Sequence, residues 1–450
     1  MKIKPTLLFL SLLVVTALTV LVLPAPQFTR LAQTQQSIPT PSGTIVYTKN
    51  FKGADLGARI NAADKALGAG KGWIVAEAGT ISTQVRLSTG HKLKLGRGRF
   101  ELVNSDIWTG SIYLESDTAV YGEGIDKTVI VEPENAYICI ASAGTLDTER
   151  GYTATGTREN IELAGFTVEG RNTKAEGGVR STIHLGNAHR VRIYKVYLRD
   201  TTCLGISAGG TGLTGKYAED WIVEDCTFEG VASQNLNVVN GQRIIFRRNK
   251  FLRPGKTCAD GKPCEGVTPI DIEPNTASDV VKEIDIEDNF IDSSNSTFLH
   301  GNGILVQNGV GIRDYGPVRV RRNRLRGGPL ERLVSGNMAS GIYLVRATNT
   351  LVSENEIVRV GHSGIRLDGC SNVVIEKNTL VSTGTGGIMS FEVASTVDSQ
   401  IAFNSVTVDS RSPAGRGVII ETGASDRNVY EGNTVSEGVN LIGKGSRIIK

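Results

Sequence analysis

The sequence predicts an all-β solenoid, a stack of short parallel strands closed at its start by one helix. Three observations predict it. A phrase made of an apolar residue, two mostly charged residues, asparagine, any residue and an apolar residue recurs along the chain. Its copies are IFRRNKF, IDIEDNFI, VRVRRNRL, LVSENEI, VVIEKNTL, IAFNSV and VYEGNTV. After most copies comes a second phrase, glycine-apolar-x-apolar, as in GILVQ, GIYLV, GIRLD, GIMSF and GVIIE. Helical periodicity is confined to one early segment. Repeats of this kind mark coils that bury their apolar faces against one another.

In chain order, the first element is apolar. Thr6 to Leu23 follows Lys2 and Lys4, the pattern of a secretory signal. The run is long for a cleaved signal, so an uncleaved membrane anchor is the alternative. Residues 1–32 are assigned to this leader, with cleavage near Ala32, and 33–43 to a polar, proline-bearing linker. The solenoid takes 44–450, and the expected location is secreted, periplasmic or cell-surface. Lys2, Lys4 and Arg30 account for the formal charge of +3. Without them acids and bases are equal in number, which gives no reason to expect a nucleic-acid partner.

Next, ADLGARINAADKAL places Leu56, Ile60, Ala63 and Leu67 at helical spacing over Ala54 to Leu67. A helix ahead of a long β run suits a cap over the open first coil. Beyond Trp73 the chain reads as short β runs punctuated by Gly, Asn and Asp.

Aligning the first phrase puts Leu198, Phe228, Phe251, Ile291, Leu325, Ile357, Leu380, Val406 and Val435 at one inward position. Asn249, Asn289, Asn323, Asn355, Asn378, Asn404 and Asn433 then stack, and amides so stacked bond to one another. Immediately before the ladder position stand Lys195, Asp225, Arg248, Asp288, Arg322, Glu354 and Lys377, alternating in sign. Strands about 4.8 Å apart would pair each charge with an opposite one. The basic runs RRNKFLR and RVRRNRLR are thereby neutralised rather than left as a polyanion stripe. Of the six cysteines, Cys258 and Cys264 flank the loop CADGKPC and can close a disulfide in an oxidising compartment. The others sit singly in repeat phrases and read as buried thiols.

The outward positions of the second phrase carry the candidate chemistry. The first outward row is Ser207, Asn237, Asp271, Leu305, Tyr343, Arg366 and Met389. The next is Gly209, Val239, Glu273, Gln307, Val345, Asp368 and Phe391. Asp271 and Glu273 have no base stacked above or below them, and strand rise sets them about 6.5–7 Å apart. Such a pair suits an inverting glycosidase or a calcium ion held through oxygen. Solvated surface is the plain alternative. Long links at Arg253–Pro269, Asp292–Asn302 and Arg326–Ser340 would wall a groove. Asn237, Gln307, Tyr343 and Arg366 are its candidate sugar contacts, and His300 and His362 its candidate acid/base groups on the rim. Arg366 and Asp368 share a strand face and are expected to pair.

The N-x-[FIL] turns followed by GI-x-L strands, with the opening ADLGARINAADKALGAGKGWIVAEAGTI, resemble the pectate-lyase-like superfamily, the opening being similar to its pectate-lyase-3 type. The resemblance covers roughly Thr44 to Lys450 and implies a single-stranded right-handed parallel β-helix with an N-terminal capping helix. It also implies a carbohydrate partner. The superfamily includes lyases, hydrolases, uronan epimerases, tailspikes and non-catalytic surface proteins, so fold leaves activity open. Of the hydrolases' motifs, VTPIDIEPN stands near where N-T-D would be, no D-D follows, and GHSGIRLDG matches G-H-G only loosely; the epimerases' D-P-H-D is absent. The expectation is a secreted protein that cleaves a polysaccharide by lyase or hydrolase chemistry. The alternative is a non-catalytic glycan-binding or structural β-helix.

Overall fold

The computed structural model describes residues 37–449 except 107–108, 134–137, 143–155, 172–180, 203, 211–215, 256–266, 297–299, 310–311, 313, 329–337, 384–390 and 409–415. The side chains of His300 and of residues 391–394 are also outside the description. The leader, the first four residues of the linker (33–36) and the Cys258–Cys264 pair lie outside the described residues. Among the described residues, no helix is long and apolar enough to cross a membrane.

The described chain is a parallel β-helix whose body spans Ile38–Lys450. Its strands form two sheets of 27 and 13 strands. The smaller sheet takes one strand per coil, in chain order along its length.

The aligned inward position is a continuous column. Leu198 pairs with Phe228, Phe228 with Phe251, then Ile291, Leu325, Ile357, Leu380, Val406 and Val435 follow in register. Phe228 and Phe251 stack with centroids 5.0 Å apart. Aromatic stacking of this kind adds about 0.5–1.5 kcal/mol to the burial of the rings.

The asparagines form the expected ladder. Asn289 Nδ2 donates to Asn323 Oδ1 at 3.0 Å, and Asn323 Nδ2 to Asn355 Oδ1 at 3.0 Å. The chain of amides runs on through Asn378 and Asn404 to Asn433. Each Oδ1 also accepts the backbone N–H of the asparagine one coil earlier, as Asn323 does from Asn289 at 3.0 Å. The ladder thus satisfies buried backbone groups at a turn the sheets cannot reach.

A reason for that turn emerges from the backbone. Lys195, Asp225, Arg248, Asp288, Arg322, Glu354 and Lys377 all have φ between 51° and 58°. A left-handed residue costs roughly 1–2 kcal/mol; after Arg248, Asp288, Arg322, Glu354 and Lys377 the asparagine that follows makes ladder hydrogen bonds that offset it, whereas Val196 and Cys226 stand at that position after Lys195 and Asp225. The charges pair in the expected sense at Asp225 with Arg248 and Asp288 with Arg322, each through two hydrogen bonds. Arg322 is 39% exposed, so we expect Arg322→Ala to cost under about 1 kcal/mol in urea unfolding. Arg322→Glu should cost more, because it sets like charges against Asp288.

The predicted cap is a helix over Leu56–Leu67. Asp55 accepts from the Ala58 backbone N–H at 2.7 Å, which starts the helix, and from those of Ser82 and Thr83, which tie it to the first coil. Leu56, Ile60 and Ala63 are buried in the core, with Leu67 packed beside them.

Two expectations are corrected. Part of the stretch assigned to a linker belongs to the body: Ile38 packs on an outer cluster of Trp73, Ala119, Tyr121, Ala164 and Tyr194. The last aligned coil is shifted by three residues. Glu392, not Met389, pairs with Arg366, and Ala394, not Phe391, pairs with Asp368. Both GIMSF and FEVA can serve as a strand phrase, and pairing Phe391 with Ile365 decides for the second.

Candidate functional site

On the outer face of the smaller sheet one column of residues runs along the solenoid axis. It passes in register through His184, Ser207, Asn237, Asp271, Leu305, Tyr343 and Arg366. Ile270 and Ile272 point into the core from either side of Asp271. Strand alternation therefore sends Asp271 to the outer face.

Asp271 is nevertheless only 2% exposed, so the reading of solvated surface fails for it. Glu273 is half-buried. Gln234, in the link before the preceding strand, binds both acids. Its Nε2 donates to Asp271 Oδ2 at 2.6 Å and to Glu273 Oε2 at 3.0 Å. Two oxygens held by one nitrogen cannot stand roughly 6.5 Å apart, the lower end of the inverting range. The spacing expected from strand rise is thus closed by side-chain convergence. Asn237 Nδ2 donates to Gln234 Oε1 at 3.4 Å, and Ser207 Oγ donates to Asn237 Oδ1 at 3.2 Å. This relay across three coils has one direction and sets which end of the Gln234 amide meets the acids.

Burial pushes the Asp271 carboxyl well above the ordinary carboxylate range, and the Glu273 charge beside it pushes further. The Gln234 hydrogen bond opposes the shift without reversing it. Asp271 Oδ1 is buried and has no hydrogen-bond partner. A carboxyl whose proton is held more tightly than usual, with an unpartnered oxygen, is a candidate proton donor.

The other candidates fall into separate places. Tyr343 OH donates to Asp368 Oδ2 at 2.6 Å, and Arg366 Nη2 pairs with the same oxygen at 3.2 Å. The Arg366 guanidinium lies 5.0 Å from the Tyr343 ring centroid. The expected Arg366–Asp368 pair therefore forms, two to three coils from Asp271. Gln307 is half-buried, in register with Val345. His362 is half-buried on the Arg366 coil and is not brought to the acids. His300 begins a strand rather than a loop and pairs in register with Met338.

Calcium requires about six to eight oxygen ligands. Among the described residues no group of three or more His, Cys, Asp or Glu could hold a metal. Gln234 turns a donor, not an oxygen, toward the acids. The arrangement fits a shared proton better than a cation.

Two residues were not found by sequence reasoning. Gln234 stands between the repeat phrases, where no period marks it. His184 stands in STIHLGN, a strand that lacks the leading glycine of the second phrase. It is 8% exposed, its Nε2 is buried without a partner, and burial pushes its imidazole down to about 4.

A separate cavity of about 420 Å³ lies on the larger sheet, lined by Lys71, Trp73, Lys92, Asp117, Tyr121 and Glu162 among others. Its acids are engaged. Glu162 accepts from Tyr194 OH at 2.8 Å and Asp117 from Asn160 Nδ2 at 2.7 Å. The carboxyl with an unpartnered oxygen is instead at Asp271.

Fold and column together define a parallel β-helix with a buried acid, Asp271, and a half-buried one, Glu273, held together on one sheet face. The family model for a right handed beta helix region matches residues 286–446, and the chain is a right-handed parallel β-helix. No curated protein sequence matches it. Among solved structures it is similar to the A-module of the Azotobacter vinelandii mannuronan C-5 epimerase AlgE4. That match has 14% identity, covers 90% of this chain and 100% of the other, and has a TM-score of 0.54. It is also similar to the Agl-KA catalytic domain, at 14% identity over 92% and 69% of the chains, TM-score 0.53. A third likeness is to the pre-mature gene product 12 of bacteriophage phi29, at 14% over 90% and 55%, TM-score 0.50. At these identities the likeness is one of fold.

Proposed function

We propose that the protein is a secreted enzyme that hydrolyses a polysaccharide on the outer face of the smaller sheet. The carrying observation is Asp271, whose buried carboxyl is held by Gln234 beside Glu273 with Oδ1 unpartnered. Asp271 gives its proton to the leaving glycosidic oxygen as the bond to the anomeric carbon breaks. The convergence of the acids excludes a water between them and favours the retaining arrangement. The Glu273 carboxylate then takes the anomeric carbon as a glycosyl ester. Water, deprotonated by Asp271, displaces Glu273 and leaves a new reducing end.

The test is incubation with a panel of neutral glycans and uronans, followed by product mass and anomeric configuration by NMR. New reducing ends with retained configuration are expected. An unsaturated, ultraviolet-absorbing product would select a lyase instead, and binding without product would select the non-catalytic alternative.

A further inference from the structure

The column carrying the acids also bears on the charge of what it binds. The partners of Asp271 and Glu273 are the neutral amide Gln234 and, behind it, Asn237 and Ser207. The next residue along the column is Leu305. Arg366, the base of this column, is paired with Asp368. Among the described residues, a uronate brought to the acids would add negative charge beside Glu273, and like charges so placed repel at short range.

At the other end stands His184, three coil steps from Asp271, about 14 Å along the axis. Its side chain is more than nine-tenths buried and Nε2 has no partner. A buried polar atom without a partner is costly unless something completes it. Its low pKa leaves the ring neutral at physiological pH. The unpartnered Nε2 of a neutral imidazole can make one hydrogen bond, as donor or acceptor, which a sugar hydroxyl matches, and it brings no positive charge to hold a carboxylate.

We infer that this face takes an uncharged, hydroxyl-bearing glycan laid along the solenoid axis, with His184 binding a sugar hydroxyl three coils from the carboxylate pair. The inference rests on the catalytic reading for the point of cleavage and adds the substrate class and a distal subsite. A disaccharide seated at the acids would not reach His184, whereas a hexasaccharide would.

The test uses the full chain carrying Asp271→Asn, so that ligand is bound without turnover. Calorimetry compares neutral gluco-, manno- and galacto-oligosaccharides with oligogalacturonate and oligomannuronate, as disaccharides and as hexasaccharides. At least one neutral hexasaccharide is expected to bind about tenfold or more tighter than either uronate hexamer. Adding His184→Gln is expected to weaken that hexasaccharide about tenfold and to leave the disaccharide unchanged. A read-out free of the second substitution is the His184 ring signal in nitrogen-labelled protein, which the hexasaccharide should shift. Equal or tighter uronate binding, an unmoved His184 signal, or no binding by either class overturns the inference. Turnover is scored separately: an active Asp271→Asn chain sinks the catalytic reading whatever the binding data show.

Discussion

Replacing Asp271 by asparagine is expected to lower turnover by about 10²–10⁴-fold, the usual contribution of a positioned proton donor. The amide keeps the shape of the acid and still offers an oxygen to Gln234 Nε2, which now sits 2.6 Å from Oδ2. It has no proton to give. In the unaltered chain the rate should fall on the alkaline side as Asp271 loses its proton. That limb should lie well above the range of an ordinary carboxylate, because burial and the Glu273 charge both raise Asp271.

The same substitution carries a stability signature. Asp271 titrates higher when folded than its ordinary 3.8. Its contribution is therefore full below that value and is lost as pH rises toward the folded pKa. Asparagine does not titrate, so the variant's melting temperature should gain on the parent as pH increases and match its trend below pH about 4. Thermal scans across pH read this directly. Parallel curves would sink the buried-acid assignment, and undiminished turnover would sink the catalytic one.

How far this site was legible in the sequence follows from what each residue repeats with. Asp271 stands inside a strand phrase, so its column and its outward parity could be read by alignment, and pairing with Asn237 and Leu305 agrees. Its burial could not be read, because alternation tells in from out and says nothing of what covers the outside. Gln234 could not be placed because links between phrases obey no period. His184 lacked the glycine that marked the other strands. The charges before the ladder were read as ion pairs, and some are, yet their left-handed backbone had no signature, since charged residues rarely adopt it. The asparagines were the most legible feature, because a buried amide repeated at each turn has few structural uses besides a ladder.

That ladder yields the largest stability effect we expect. Asn323 is fully buried. It accepts from the Asn289 backbone N–H and side-chain amide, each at 3.0 Å. It donates from Nδ2 to the Ile286 carbonyl at 2.9 Å and to Asn355 Oδ1 at 3.0 Å. Asn323→Ala strips partners from two coils at once, and each buried group left bare costs about 1–3 kcal/mol. The neighbouring coils can relax only in part, so about 3–5 kcal/mol of lost stability is expected by urea unfolding. Asn433 ends the described ladder and is half-buried. Asn433→Ala should therefore cost about 1 kcal/mol. Equal costs at the two positions would show that the amides act singly rather than as a ladder. Turnover per folded molecule should be unchanged in both variants, because the ladder lies on a turn and contributes no group to the column that carries Asp271.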